Sequence, residues 1–420
     1  MYRTTTLENG LIVATAHMPH MNSVSLGLWV GTGGRHEPVP LNGVSHFIEH
    51  LMFKGTGRRS AREISEAIEG IGGDLNAFTA EENTCYYAKA PAARWPEVFD
   101  VLADMFLDAR FAPRDIRLER SVIKEEIALY RDQPHQHVLE LLNEAMWPDH
   151  PLGRCLTGTE KSLDGLTRAR LMAFRREHYV AANTLVCAAG SIDHEALVRR
   201  ARTAMRRLPV GRRPVYLSAS PGRGDTQLRV DRRRTQQVQI ALGFPTCSRH
   251  DPRRFALRML NTVLGENMSS RLFQVLREDH GLVYSISSSS HLFDDVGVLT
   301  VAAGLDLPQV PRAMRLMARE LARLKRTLVG RKEWVLAREY LIGQLDLNLE
   351  STESQMMWMG ENLLGHGRIT RAEQIKKRLR EVTPAQARQA ARDFLRSDSL
   401  RLAVVGPSPA RLNLTGWLSF

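Results

Sequence analysis

Hydrophobic and polar positions alternate along residues 24–30, VSLGLWV, and again along residues 238–244, VQIALGF. A period of two residues is typical of a half-buried β-strand. Both strands are followed by the same short pattern, RHEP at 35–38 and RHDP at 249–252, and the strands and patterns share one offset of 214 in the numbering. The two segments therefore predict a repeated structural unit.

A second match supports the repeat at a nearly equal offset, 216 in the numbering. Leu166-Thr167 and Val382-Thr383 each begin a stretch with helical periodicity, and each stretch leads into an apolar strand, 185–190 or 401–406. Two matches at nearly one offset indicate two copies of one α+β unit.

The predicted fold is α+β, with two homologous domains in tandem, each a mainly antiparallel sheet with helices packed on one face. The N-terminal domain is predicted at 1–212, a linker rich in Pro, Gly, Ser and Arg at 213–228, and the C-terminal domain at 229–420. Helical periodicity is found at 61–71, 95–109, 114–131, 310–327 and 371–380.

Composition narrows the class of protein. The chain has 420 residues, of which 43% are hydrophobic and 25% are charged, so a folded core is expected. It contains neither a long apolar run nor a recognisable signal or transit peptide, which predicts a cytoplasmic, bacterial protein that does not bind membranes. The net charge of +12 is spread along the chain without a nucleic-acid-binding motif, so no nucleic-acid partner is expected. The four cysteines form no CxxC pair, which disfavours a cysteine metal site.

The candidate chemistry begins with the spacing H-x-x-E-H at His46, Glu49 and His50. On a helix, residues four apart share one face, so the two imidazoles can bind one ion. Imidazole and carboxylate suit zinc, and Glu49 is placed to act as the general base towards an attacking water. Asn42 or Ser45 is expected to cap the start of this helix.

A third ligand is expected from the predicted helix at 114–131, which offers Glu119, Glu125 and Glu126. Glu119 and Glu126 are seven residues apart and share a face, so one can bind the metal while the other orients a histidine. Glu125 points elsewhere and is expected to meet solvent. The spacing alone does not choose among these acids.

The segments HFIEHLMFKGT, GGDLNAFTAEENTCYYAKA and ERSVIKEE together resemble the inverted zinc peptidases of the pitrilysin family. The resemblance covers nearly the whole chain and is greatest to the short, two-domain branch that contains the β subunit of the mitochondrial processing peptidase and its bacterial relatives. It implies that His46, His50 and Glu126 bind zinc, that Glu49 is the base, and that Glu119 supports a histidine.

The second half is expected to lack a zinc site. The offset of 214 places Leu260, Val263 and Leu264 where His46, Glu49 and His50 stand, so one zinc ion per chain is expected. The segment SSRLFQVLREDHGLVYSI resembles the second-half signature of the family. The resemblance implies that Arg277 and Tyr284 reach the zinc site, where they would bind the substrate and stabilise the oxyanion.

The resemblance also implies where the substrate binds. The predicted strand 74–80 presents an exposed edge in the family, to which a peptide adds as a further strand. Asn76 and Ala77 are the predicted contacts on this edge. Glu82 matches a family position near the site, and its chemistry assigns it no particular role.

The sequence therefore predicts a zinc-dependent endopeptidase that cleaves extended peptides or unfolded segments. The family implies a homodimer, or a heterodimer with a related subunit that lacks the zinc ligands. One alternative is a peptide-maturation protease that acts with an inactive partner, for example on the precursor of a redox cofactor. Another is a non-catalytic structural core subunit, against which the intact His46, Glu49, His50 and Glu126 argue. The third is a basic nucleic-acid-binding protein.

Overall fold

The computed structural model describes residues 2–220 and 227–407. Part of the predicted linker, 221–226, and the end of the predicted C-terminal domain, 408–420, lie outside the described residues. No helix within the described ranges has the length and hydropathy needed to cross a membrane.

Strands and helices follow each other in mixed order along the chain. The strands are β1 Tyr2–Thr6, β2 Ile12–His17, β3 Ser23–Val30, β4 Asp74–Thr79, β5 Thr84–Pro91, β6 Thr184–Gly190, β7 Gln227–Arg232, β8 Val238–Thr246, β9 Val283–Leu292, β10 Gly297–Leu305 and β11 Arg401–Gly406. The helices are α1 Val44–Met52, α2 Ala61–Glu69, α3 Trp95–Asp108, α4 Pro113–Arg131, α5 Pro134–Met146, α6 Glu160–Gly165, α7 Arg168–His178, α8 His194–Ala204, α9 Arg254–Asn261, α10 Val310–Arg326, α11 Arg331–Asn348, α12 Thr352–His366, α13 Ala372–Glu381 and α14 Pro384–Phe394. The five helices predicted from periodicity are present, with ends shifted by at most two residues.

The chain folds into two compact units that interleave in sequence. Among the described residues, the first comprises 2–128, 154–217 and 347–369, and the second comprises 129–153, 218–220, 227–346 and 370–407. Helix α12 therefore belongs to the first unit, although it comes from the C-terminal half, and α5 belongs to the second. The domain limits read from the sequence, 1–212, 213–228 and 229–420, stay a prediction.

The first unit is built on a six-stranded sheet in the order β1-β2-β6-β3-β5-β4. Only the pair β2–β6 is parallel, and the other neighbours are antiparallel. Alternate residues of β3 face opposite layers: Leu28 packs in the main core, whereas Trp29 packs against Met356 and Met359 of α12. Gly360 of α12 lies so close to Trp29 that an added Cβ would be 2.2 Å from its ring, so only glycine fits there. Helix α12 therefore packs on the face of the sheet opposite the main core, whereas the sequence predicts helices on one face only.

The second unit repeats this plan with a five-stranded sheet in the order β7-β11-β8-β10-β9, in which only β11–β7 is parallel. Helix α5 covers the face opposite the main core, where Met146 and Trp147 pack with Phe293. The three residues at the positions of the zinc motif, Leu260, Val263 and Leu264, are all buried in the main core. The predicted α+β fold of two homologous halves is confirmed.

The loop that follows α1 is tied to α3 by a buried carboxylate, Asp104. Its oxygens accept hydrogen bonds from Thr56 Oγ1 at 2.8 Å, Arg59 Nη1 at 2.6 Å and Arg58 Nε at 3.0 Å. Burial acts to raise the pKa of Asp104, but these hydrogen bonds outweigh burial and lower it below its usual value. The ionised carboxylate therefore stabilises the folded state.

This cluster predicts a pH-dependent effect of Asp104→Asn. At pH 7 the free energy of unfolding of the variant is expected to be about 1–3 kcal/mol lower than that of wild type, because the variant loses charged hydrogen bonds. The contribution of Asp104 is present above its unfolded pKa of about 3.9 and is lost as the pH falls through the lower folded value, so the difference should shrink towards pH 3. Denaturant unfolding at both pH values measures it. Asp108→Asn, which breaks the exposed pair with Arg207, is the control, and an equal loss in both variants would contradict the assignment.

Candidate metal centre

Helix α1 carries the H-x-x-E-H motif along one side, and its apolar side is anchored in the core of the first unit. Val44, Phe47, Ile48 and Leu51 are fully buried there. The helix begins after Gly43, which has a left-handed backbone with φ of 88° and offers no side chain to cap the helix. The expectation that Asn42 or Ser45 caps α1 is therefore wrong.

The ligand atoms of two histidines of α1 and one acid of α4 lie close together. His46 Nε2 and His50 Nε2 both lie 3.7 Å from Glu126 Oε2, and the three ligand atoms all lie within 4.8 Å of one another. Donor atoms around a tetrahedral zinc ion with bonds of about 2.0–2.1 Å are separated by about 3.4 Å. The donor set and its spacing therefore fit a zinc ion with little movement.

The protonation state of His46 also suits a metal. Burial, followed by the repulsion of His50, lowers the pKa of His46 to about 3. The imidazole is therefore neutral at physiological pH, which is the form that binds a metal ion.

The three acids that spacing left open occupy different places on α4. Glu119 Oε2 lies 3.0 Å from His50 Nδ1, whereas the other ring nitrogen, Nε2, is the one near Glu126. Glu119 Oε1 lies 2.8 Å from Lys54 Nζ. Burial acts to raise the pKa of Glu119, but the hydrogen bonds from His50 and Lys54 prevail and lower it. Glu125 is exposed. Glu119 thus stays ionised and orients the His50 ring.

Glu49 lies beside this cluster without pointing into the ligand set. Its carboxylate accepts a short hydrogen bond from Thr79 Oγ1 at the end of β4. Burial raises the pKa of Glu49, and the bond from Thr79 and the charge of His50 act against that rise. A raised pKa suits a carboxylate that has to accept a proton near neutral pH.

Strand β4 forms one edge of the six-stranded sheet, because it pairs only with β5 among the described strands. Asn76 is exposed on this edge, and Ala77 is half-buried. The Asn76 side-chain oxygen accepts a hydrogen bond from the Ala77 backbone N–H at 2.8 Å. Both residues thus lie on the strand whose far end, Thr79, contacts Glu49.

Glu82 lies in the turn between β4 and β5, where it binds a buried arginine. Arg35 Nη1 donates to Glu82 Oε1 at 2.7 Å, and the Arg35 side chain has no exposed surface. The backbone of the same region is also paired, since Arg35 N donates to Glu81 O and Gly34 N to Ala80 O. Glu82 therefore holds the turn that follows Thr79.

This contact predicts a large loss of stability in Glu82→Ala. Removing one partner of a buried ion pair is strongly destabilising, and the loss here is expected to be about 3 kcal/mol of unfolding free energy. The matched control is Glu66→Ala, which breaks an exposed pair with Arg62 and should cost less than about 0.5 kcal/mol. Chemical denaturation of both variants gives the comparison, and a Glu82→Ala variant as stable as the control would refute this role.

The two residues predicted in the second half lie in the second unit. Arg277 lies in a π-helical turn at 273–279, with its guanidinium 4.9 Å from the centre of the Phe273 ring. Tyr284 lies in β9 and is 75% exposed. Their roles in catalysis stay a prediction.

Three side chains that contact candidate site residues were not predicted from the sequence. Thr79, Lys54 and Arg35 contact Glu49, Glu119 and Glu82 respectively, but each was only one polar residue among many in its segment. Lys54 lies four residues after His50 in the sequence, but α1 ends at Met52, so helical spacing does not place Lys54 beside the motif.

Comparison with known proteins identifies the family. The family model described as Insulinase (Peptidase family M16) matches residues 12–160, and that of the Peptidase M16 inactive domain matches residues 165–341. The chain is 39% identical over 415 residues to an uncharacterized zinc protease of Mycobacterium tuberculosis, which covers 98% of this chain and 94% of the relative. It is 35% identical over 408 residues to the uncharacterized zinc protease YmxG of Bacillus subtilis, covering 97% and 99%. The chain therefore belongs to peptidase family M16, in its short two-domain branch.

Solved structures share the fold along the whole chain. A protease from Helicobacter pylori superimposes with a TM-score of 0.91 at 19% identity, covering 97% of this chain and 99% of that chain. A Pseudomonas fluorescens structure titled peptidase M16 inactive domain gives a TM-score of 0.90 at 18% identity, covering 97% and 98%. The resemblance stated from the sequence is thus confirmed, and the names of the curated relatives point to zinc as the metal.

Proposed function

We propose that this protein is a zinc-dependent endopeptidase that cleaves extended peptides or unfolded segments. One observation carries the proposal: the Nε2 atoms of His46 and His50 each lie 3.7 Å from Glu126 Oε2, with the Glu49 carboxylate on the same helix. Membership of a family of zinc proteases supports the same reaction class.

In this proposal His46, His50 and Glu126 hold one zinc ion per chain. When bound, zinc lowers the pKa of a coordinated water and polarises a carbonyl group. Glu119 keeps the His50 ring oriented through Nδ1, which fixes Nε2 towards the metal position.

Glu49 is the general base of the proposed mechanism. Its carboxylate accepts the proton of the attacking water and passes it to the amine that leaves as the peptide bond breaks. Thr79 holds the carboxylate by its Oε2 atom, so one oxygen is engaged and the other is available for the proton. The residue therefore acts in both halves of the reaction.

The edge of β4 is the proposed binding surface for the peptide backbone. A peptide that pairs with β4 has to be extended, and main-chain hydrogen bonds accept many sequences. Binding at Ala77 requires the Asn76 side chain to release the Ala77 N–H that it covers. The need for an extended backbone favours unfolded segments over folded proteins.

The remaining parts of the prediction concern the second unit and the assembly. We infer that Arg277 and Tyr284 donate hydrogen bonds to the scissile carbonyl, as the family resemblance implies. We also infer a homodimer or a heterodimer with a related subunit. Native mass spectrometry of the purified protein distinguishes a homodimer from a chain that awaits a partner.

The test of the proposed function is cleavage of a pool of unstructured peptides, read by mass spectrometry. The zinc-loaded protein is expected to cut internal bonds, and a chelator should stop the cleavage until zinc is returned. A folded, loop-free protein included in the pool should stay intact. Cleavage that survives complete removal of the metal would refute the proposal.

A further inference from the structure

The start of helix α1 is capped in an unusual way. Gly43 occupies the cap position, and an added Cβ there would lie 2.7 Å from the Thr157 carbonyl oxygen, so no side chain fits. Asn42 donates its side-chain amide to the Cys155 carbonyl at 3.0 Å and does not cap the helix. The first amides of α1 therefore need an acceptor from elsewhere in the chain.

Glu37 supplies that acceptor from six residues upstream. Its Oε2 accepts from Gly43 N at 2.7 Å, and its Oε1 accepts from Ser45 N at 2.9 Å. Asn42 Nδ2 makes a third contact at 3.2 Å, and Glu37 is only 1% exposed. A buried carboxylate in this position satisfies two free helix amides and is favoured by the helix dipole.

The two histidines of the motif are held in different ways. His50 has its Nδ1 fixed by Glu119, whereas His46 Nδ1 is buried without a hydrogen-bond partner among the described residues. His46 is the third residue of the helix and directly follows Ser45, whose N–H is bound by Glu37. The position of the His46 ring therefore depends on where the first turn of α1 is held.

The second repeat provides an internal comparison. Asp251 stands at the position that corresponds to Glu37, and its Oδ1 accepts from Arg253 N at 2.8 Å. The Asp251 side chain is 21% exposed and also binds the Arg253 guanidinium. The helix that follows, α9, carries Leu260 in place of a histidine. The longer, fully buried acid thus occurs in the repeat that carries the motif.

We propose that Glu37 is a positioning residue that sets His46 for metal binding, in the role that Glu119 has for His50. The carboxylate acts through the backbone of the first helical turn and does not touch the metal position. This inference rests on the proposed function, because it requires that His46 is a zinc ligand.

The experiment compares Glu37→Gln with wild type in two measurements that do not depend on activity. The first is zinc affinity by competition with a chromophoric chelator, and the second is the visible absorption spectrum of the cobalt-substituted protein, which reports ligand geometry. Glutamine presents an N–H₂ group to one of the three donors, so the first turn has to shift. We expect zinc affinity to fall about 10- to 100-fold and the cobalt bands to change.

Asp251→Asn is the matched control, because it removes the same charge at the same position of the other repeat, and both measurements should stay at wild-type values. If Glu37→Gln does not fold, Glu37→Asp keeps the charge on a shorter side chain and should show the same changes in smaller size. Wild-type affinity and spectrum in a folded Glu37 variant would overturn the inference alone. A wild-type protein that binds no zinc would overturn the proposed function, and the inference with it.

Discussion

Replacing Glu49 by glutamine is expected to lower kcat for peptide cleavage by about 10³-fold while zinc binding is retained. Glutamine keeps the size of the side chain and the contact with Thr79, but it cannot accept a proton, and general-base catalysis contributes about 10²- to 10⁴-fold. Because Glu49 does not point into the ligand set, the metal content should not change. Steady-state kinetics on one quenched fluorescent peptide, with zinc measured in the same samples, provide both numbers.

The control for this prediction is Glu125→Gln, an exposed acid on the helix that carries Glu126. Its kinetics should equal those of wild type. A zinc-loaded Glu49→Gln variant that keeps more than about one tenth of the wild-type kcat would exclude Glu49 as the general base.

The second prediction concerns the three acids of α4, which should differ in their effects on zinc affinity. Glu126→Ala removes a proposed ligand and should weaken binding by more than the about 10- to 100-fold that loss of an outer hydrogen-bond partner costs. Glu119→Gln should fall within that range, because it acts on His50 through Nδ1. Glu125→Ala should bind zinc as wild type does. Chelator competition at fixed pH gives the order.

This order is specific to the geometry. Glu119 and Glu126 share one side of α4, so a model based on helical spacing alone treats them as equivalent. A greater loss in Glu119→Gln than in Glu126→Ala would show that the metal lies on the Nδ1 side of His50. Equal losses in Glu125→Ala and Glu126→Ala would show that the effect is a general one of charge.

Much of the fold could be predicted from the sequence because its signals are local and repeated. Alternation in β3 and β8, together with the shared offset between the two halves, predicted the two α+β units. The exchange of α5 and α12 between the units could not be predicted, since an apolar helix face does not say which sheet it covers. The alternation in β3 places Trp29 on the face opposite Leu28, but it does not show that α12 covers that face.

The candidate site likewise has features that the sequence predicts and features that only the folded structure shows. The helical spacing of His46 and His50 is a local property, and it placed both rings on one side of α1. The cap of that helix depends on Glu37, and the turn after β4 depends on a contact between Arg35 and Glu82, 47 residues apart. Such contacts follow from tertiary packing, so the sequence offered Asn42 and Ser45 as caps and assigned Glu82 no role.

The zinc site proposed on α1 and α4 is tested by anomalous diffraction at the zinc absorption edge from crystals of the zinc-loaded protein. We expect one peak per chain, at about 2.0–2.2 Å from His46 Nε2, His50 Nε2 and a carboxylate oxygen of Glu126, with Glu49 outside the ligand set. A peak bonded to Glu119 or Glu49 in place of Glu126, or no peak on α1 from protein with measured zinc content, would contradict it.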